Sequence, residues 1–199
     1  TLNMVLEGGS VESDGKGTLL TTTECLTSPN RNPEYSPAEI ERKLTEYCGF
    51  SRVLWLDHGM IPGDDTDSHI DTLARFCNDH TIAYVGAGDG DPEVRASLEQ
   101  MAQQLLTFRT ADGNPYRLVE LPPPAVVHDD EGVRLPATYA NFLVINDAVL
   151  VPSYDGPGDG DAVATLREVF NDREVVAVNC LGPVLLYGSL HCVTMQLPE

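Results

Sequence analysis

With 199 residues, 42% of them hydrophobic, and no low-complexity tract, the chain can bury a real core. A formal net charge of −19, with only Lys16 and Lys43 beside ten arginines, argues against nucleic acid, because phosphate binding needs clustered basic residues. The longest apolar stretches are far too short to span a bilayer, so a membrane is not an expected partner; an acidic field suits a small cation better.

Hydrophobic alternation predicts strands over 4–11 and 17–22, joined by the turn Ser13-Asp14-Gly15-Lys16. Pro37 opens a helix over 38–47, and Arg52-Val53-Leu54-Trp55-Leu56 reads as a strand. The same order returns with strands 70–76 and 81–85, a helix from about 92 to 106 with Asp91 as N-cap, and a strand over 116–120. A third copy has strands 140–146 and 148–152 around Asn146-Asp147, a helix over 162–170 and a strand over 174–178. One more strand, 191–195, is expected at the end. The chain therefore reads as one domain of repeated units, 1–56, 69–120 and 139–178 plus the strand 191–195, packed side by side because none covers its apolar face alone. Leu121-Pro122-Pro123-Pro124 and His128-Asp129-Asp130-Glu131-Gly132 read as connections.

Cys25, Cys48, Cys77, Cys180 and Cys192 are an odd set without CxxC spacing, which favours neither a disulfide framework nor a zinc site. A reducing cytoplasm is the simplest setting, and the first residues show no secretory signal. Self-association is compatible with the sequence, which sets no oligomeric state.

The chemistry-bearing residues fall in two places. Cys192 lies in Leu190-His191-Cys192-Val193-Thr194, and Asp64-Asp65-Thr66-Asp67-Ser68-His69-Ile70-Asp71 supplies carboxylates and an imidazole. A thiol, an imidazole and several carboxylates suggest covalent chemistry on a cationic carbon, with His69 able to activate the thiol. His191 is not an automatic partner of Cys192, since neighbours on a strand face opposite ways. The acidic stretch fits no specific metal motif, and the loops 89–91 and 155–161 lack the full calcium-loop pattern and read as acidic turns. No metal and no cofactor is expected.

Leu6-Glu7-Gly8-Gly9-Ser10, Asp14-Gly15-Lys16-Gly17-Thr18, Cys25-Leu26, Asn30-Arg31-Asn32-Pro33, the stretch 64–71, Tyr139-Ala140-Asn141-Phe142 and His191-Cys192-Val193-Thr194 occur in the order found in the agmatine deiminase and bacterial (Porphyromonas-type) peptidylarginine deiminase family, which the whole chain resembles. The resemblance implies an α/β fold, the pentein propeller of five ββαβ modules, of which three modules and a final strand would lie here; the missing N-terminal modules of the same protein would be needed as a partner. It implies a hydrolase acting on a guanidinium such as agmatine, giving N-carbamoylputrescine and ammonia. Cys192 would attack the guanidinium carbon, His69 would act as general acid and base, Asp71 would hold two guanidinium N–H groups, Glu7 would orient the histidine, and Asp65 would line the pocket. Peptidylarginine or arginine deimination, amidino transfer, and a non-catalytic binding propeller are the alternatives. An early Trp-x-Arg-Asp motif of the family is not in these residues, so the chain alone would hold half a guanidinium clamp and little or no activity. Ser68 stands where the family has glycine, Leu186-Tyr187-Gly188-Ser189 replaces a glycine run, and Met195 replaces the first of two glutamines, with Gln196 keeping the second.

Overall fold

The structure, a computed structural model, describes residues 3–88 and 90–195; Gln196 and Asp89 lie outside them. Its strands are β1 (Glu12–Ser13), β2 (Thr18–Thr22), β3 (Arg52–Leu56), β4 (Ala74–Asn78), β5 (Thr81–Val85), β6 (Arg117–Leu121), β7 (Leu143–Val144), β8 (Ala148–Ser153) and β9 (Glu174–Asn179). Its helices are α1 (Thr23–Thr27), α2 (Pro37–Cys48), α3 (Ile70–Leu73), α4 (Pro92–Leu105), α5 (Asp159–Val169) and α6 (Leu181–Val184). The strands form three sheets, β1-β2-β3, β4-β5-β6 and β7-β8-β9, each with an antiparallel pair followed by a parallel one. The crossover of each parallel pair carries the unit's long helix, α2, α4 or α5. This is the ββαβ unit of the pentein fold, present three times.

Local signals account for the helices. Ser36 and Glu39 close a capping box at the start of α2, with Pro37 in its first turn, and Gly49 ends the helix in a left-handed conformation. Asp91 caps α4 by accepting from the N–H groups of Glu93 and Val94. The sheets explain why strands here are apolar on both faces. Leu19, Val53 and Trp55 pack against Ile40 and Leu44 of their own α2, while Leu20, Leu54 and Leu56 point into the core around α4 of the next unit. In the second sheet Ile82 and Leu118 face α4, and Ala83, Val119 and Leu121 pass to the core of the third unit.

Four expected strands take other forms. Of 4–11, residues Gly8–Ser10 make a 3₁₀ turn in which Ser10 Oγ donates to Glu7 O (2.7 Å), and pairing starts only at Glu12. Residues 70–73 are a helical turn, not the start of a strand: Thr72 Oγ1 donates to His69 O (2.7 Å), a local bond that competes with a ladder, and Thr72 N donates to the same carbonyl (3.1 Å). Of 140–146 only Leu143–Val144 pairs. The expected final strand 191–195 is a turn, with Val193 N donating to Ser189 O and Thr194 N to His191 O; these local bonds take the N–H groups a ladder would use. Of the expected acidic turn 155–161, residues 155–158 turn into the start of α5, closed on Asp159, whose carboxylate accepts from the backbone N–H groups of Tyr154 and Gly156 and from the Tyr139 hydroxyl. Among the described residues no helix is long and apolar enough to cross a membrane.

One buried ionic junction joins all three units. Arg75 on β4 donates to Glu12 on β1 (2.6 Å) and to the carbonyl of Phe142, just before β7 (2.7 Å), and its guanidinium lies 5.2 Å from the Phe142 ring centroid. Glu12 also accepts from Phe76 N (2.8 Å), and both charged residues are 6% exposed. Burial pushes the Glu12 carboxyl up from its ordinary range, and Arg75 is the main group opposing that. Removing one partner of such a pair strands the other charge. Arg75→Met is expected to lower stability by about 3–5 kcal/mol in urea unfolding, and the double variant Glu12→Gln, Arg75→Met to recover part of it. Additive losses from the two changes would contradict coupling.

Candidate active site

The site is built where the 3₁₀ turn of the first unit meets α3 of the second. Gly9 allows this approach: a Cβ at its position would sit on His69 Nδ1 and 3.0 Å from Asp71 Oδ1. The turn is fixed from below by Thr21 Oγ1, which donates to Ser10 O (2.7 Å). Glu7, at its start, takes the imidazole of His69 through Nε2 at 2.6 Å.

Arg31 is the second partner of Glu7. Its Nε reaches Glu7 Oε2 (2.8 Å), its Nη1 reaches Asp67 Oδ2 (2.6 Å), and its Nη2 donates to Thr66 O (2.9 Å). The loop that delivers Arg31 is pinned by buried Asn32, whose amide exchanges hydrogen bonds with the backbone of Val5 and also donates to Leu26 O. Burial works to raise the Glu7 carboxyl, but the hydrogen bonds from His69 and Arg31 outweigh it and hold the group below its ordinary value. Asp67 is likewise held low, chiefly by Arg31 and then by Ser28.

The loop before His69 is tightly wound. Asp67 and Ser68 have φ of 57° and 61°, a left-handed pair in which each non-glycine residue costs about 1 kcal/mol. The conformation is held by Asp64, which accepts from Ser68 N (2.8 Å) and Thr66 Oγ1 (2.6 Å). Ser68 adds a bond from its Oγ to Glu24 (2.9 Å), and its carbonyl accepts from Thr22 Oγ1 (2.8 Å). Glycine would relieve the strain at this position, and the serine hydroxyl offsets its absence.

Asp71 lies at the centre. Its side chain is fully buried; Oδ2 accepts from His191 Nδ1 (2.8 Å) and is 3.8 Å from Cys192 Sγ, while Oδ1 is buried with no hydrogen-bond partner. Asn141 completes the arrangement. Its Nδ2 donates to Asp71 O (3.2 Å) and lies 3.3 Å from Cys192 Sγ, and its Oδ1 accepts from His191 N (2.9 Å). Cys192 is exposed as a residue, yet its sulfur edges a narrow cleft with Asp64, Thr66, Thr72, Asn141 and Tyr187. Burial and then the Asp71 charge push its thiol above the ordinary value. A wider depression, about 720 Å³ along α4 beside His58 and Gln104, contains none of these groups.

Of the residues expected from sequence, the structure thus brings together Glu7 with His69, and Asp71 with Cys192; Asp71 meets Gly9 through one helical turn and not through an extended segment. Asp65 is exposed and does not line the cleft; its neighbour Asp64 does. Sequence spacing assigns no role to Arg31, Asn141 or His191, although all three sit inside the motifs that carry the family resemblance. Glu7, Cys25 and His69 offer ligand atoms within 4.8 Å of one another, an O, S, N set of the kind zinc takes, but Arg31 already occupies Glu7 and its charge opposes a cation there. Burial pushes the Cys25 thiol up to about 12.

Residues 1–198 match the family model described as Porphyromonas-type peptidyl-arginine deiminase. The chain is 34% identical over 215 residues to the agmatine deiminase of Pseudomonas aeruginosa, covering all of this chain and 58% of that protein. A crystal structure of a provisionally assigned arginine deiminase from Porphyromonas gingivalis is 53% identical with a TM-score of 0.95, covering 100% of this chain and 58% of that one. A cysteine-to-serine variant of Campylobacter jejuni agmatine deiminase with substrate bound is 37% identical with a TM-score of 0.88, covering 96% and 55%. The chain therefore spans a little over half the length of the relatives it matches.

The position of Asp71 makes a direct prediction about the thiol. Asp71→Asn removes the negative charge that helps hold Cys192 protonated, so the thiolate fraction at pH 7.5 rises, and alkylation by neutral iodoacetamide is expected to speed up about three- to tenfold. An unchanged or slower rate would show that Asp71 does not act on the sulfur.

Proposed function

The chain belongs to the Porphyromonas-type peptidyl-arginine deiminase family, and on that footing we propose that it carries the nucleophile and acid–base residues of a guanidinium deiminase, converting agmatine to N-carbamoylputrescine and ammonia. The observation that carries this reading is Asp71, a fully buried carboxylate with one oxygen unpartnered beside a cysteine sulfur. An uncompensated buried carboxylate is costly, and a guanidinium N–H is the partner that would complete it.

In the proposed sequence, the guanidinium enters with an N–H on Asp71 Oδ1. Its positive charge opposes that of the carboxylate and so favours the Cys192 thiolate, which the free protein disfavours. The sulfur attacks the central carbon, forming a C–S bond; the tetrahedral species expels ammonia after taking a proton from His69. The thiouronium adduct is then attacked by water, which gives one proton to His69; the C–S bond breaks as the remaining hydroxyl proton passes to solvent, releasing the ureido product and the thiolate. Glu7, whose carboxyl the hydrogen bonds from His69 and Arg31 hold low, keeps the imidazole oriented. Asp64, on the cleft wall where Asp65 is not, is the better candidate for contact with the substrate.

Agmatine is favoured because the Pseudomonas and Campylobacter relatives are agmatine deiminases. Deimination of arginine or peptidyl-arginine is the second reading, supported by the higher identities, 53% and 46%, to structures assigned to those activities. A cytoplasmic setting is supported by five free cysteines. The test is ammonia release from agmatine, arginine and a blocked arginyl peptide by the longest natural form of the protein. Turnover of one of them, reduced about a thousandfold or more in Cys192→Ala, is expected. Release from none by the folded protein would overturn the reading.

A further inference from the structure

His191 adjoins the nucleophile, yet its imidazole serves a different residue. The turn over 190–193 directs the ring to Asp71, with Nδ1 at 2.8 Å from Oδ2, in a setting where the His191 side chain is 18% exposed and that of Asp71 is 0% exposed. The ring is held from its own backbone: His191 N donates to Asn141 Oδ1 (2.9 Å), and the same asparagine ties to the backbone of Asp71 (3.2 Å). An ionised carboxylate accepts only, so Nδ1 is the protonated nitrogen, a tautomer assigned from its partner. Asp71 Oδ1 has no partner at all, which makes the His191 bond the one side-chain N–H hydrogen bond to this buried carboxylate among the described residues.

We propose that His191 is the positioning residue of the guanidinium clamp: its Nδ1–H saturates one oxygen of Asp71 and holds that carboxylate turned so that the other oxygen is left for the substrate. The proposal rests on the reading of Asp71 as a guanidinium-binding group. Burial penalises the charged form of a carboxyl, and a hydrogen bond to the charged form restores it. Around the imidazole, Asp71 comes from α3, Glu12 from β1 with Arg75 of β4 against it, and Cys192 follows in the chain. Without the His191 donor, Asp71 loses the bond that fixes its orientation, and Oδ1 is no longer held where a guanidinium N–H meets it.

Two alkylating probes separate this role from general support of the fold. A cationic haloacetamidine mimics the guanidinium and reads the clamp together with the sulfur; neutral iodoacetamide reads the sulfur alone. In this chain, His191→Leu is expected to lower the ratio of the amidine rate to the iodoacetamide rate at Cys192 about tenfold or more, while His191→Asn, whose amide N–H falls near the Nδ1 position, restores it to within about threefold. Loss of packing alone would change both rates together and leave the ratio unchanged. A native ratio in folded His191→Leu, or no recovery in His191→Asn, overturns the proposal. Asp71→Asn is the control: if it keeps the native ratio, the clamp reading itself fails, whereas a low ratio there beside a native ratio in His191→Leu sinks only the role of His191. Should His191→Leu not fold, nitrogen-correlated NMR of the native imidazole decides. An Nδ1–H tautomer is expected, and an Nε2–H tautomer contradicts the proposal.

Discussion

A carboxylate buried with one oxygen unsatisfied is an unstable arrangement unless something outside the resting fold completes it, and the site is organised around one such group. Asp71 is where the separate parts of the chain converge. Gly9 from the first unit presses against it, α3 of the second unit carries it, Asn141 of the third holds its backbone, and His191 and Cys192 reach it from the C-terminal turn. None of these segments has regular structure of more than one turn at the point of contact. Their positions come from the sheets behind them.

Those sheets are aligned by a second buried ionic group, the Arg75–Glu12 pair with its bond to the Phe142 carbonyl. Arg75 is four residues beyond Asp71, and Phe142 follows Asn141, so the junction that ties three units together also fixes the spacing of the two residues that hold Cys192. Apolar packing alone would not determine this register so tightly, because Leu, Ile and Val contacts tolerate small slides that directed hydrogen bonds from one guanidinium to a carboxylate and a carbonyl do not. The strained pair Asp67 and Ser68 shows the same division of labour. A left-handed turn that two non-glycine residues disfavour is held by Asp64, Arg31 and Glu24, and its result is the delivery of His69 to Glu7.

Much of this was legible in the sequence where local signals dominate. The strands β2, β3, β5 and β8 and the helices α2 and α4 lie within a residue or two of where alternation, Pro37, Pro92 and Asp91 indicated them. The segments that misled are those at the site. Residues 70–73 and 140–142 lead into apolar runs that suggest strands, but their backbone groups bond locally or to side chains from other units, which no window of sequence contains. Alternation along a strand would set His191 and Cys192 on opposite faces, but residues 190–193 form a turn, and both side chains reach Asp71. Arg31 and Asn141 are visible inside motifs, but they connect to residues 24 to 70 positions away, and single-chain spacing carries no such information. Asp64 and Asp65 could be distinguished only by the direction of a loop.

The central claim is that Cys192 forms a covalent bond to a guanidinium carbon held by Asp71. Acid quenching of the longest natural form of the protein during incubation with agmatine or an arginyl substrate, followed by mass spectrometry of its cysteine peptides, tests this most directly. The account predicts an amidino adduct on the peptide containing Cys192, absent in Asp71→Asn and in protein incubated without substrate. An adduct on another cysteine, or turnover with no adduct on Cys192 under conditions that slow its hydrolysis, would contradict it.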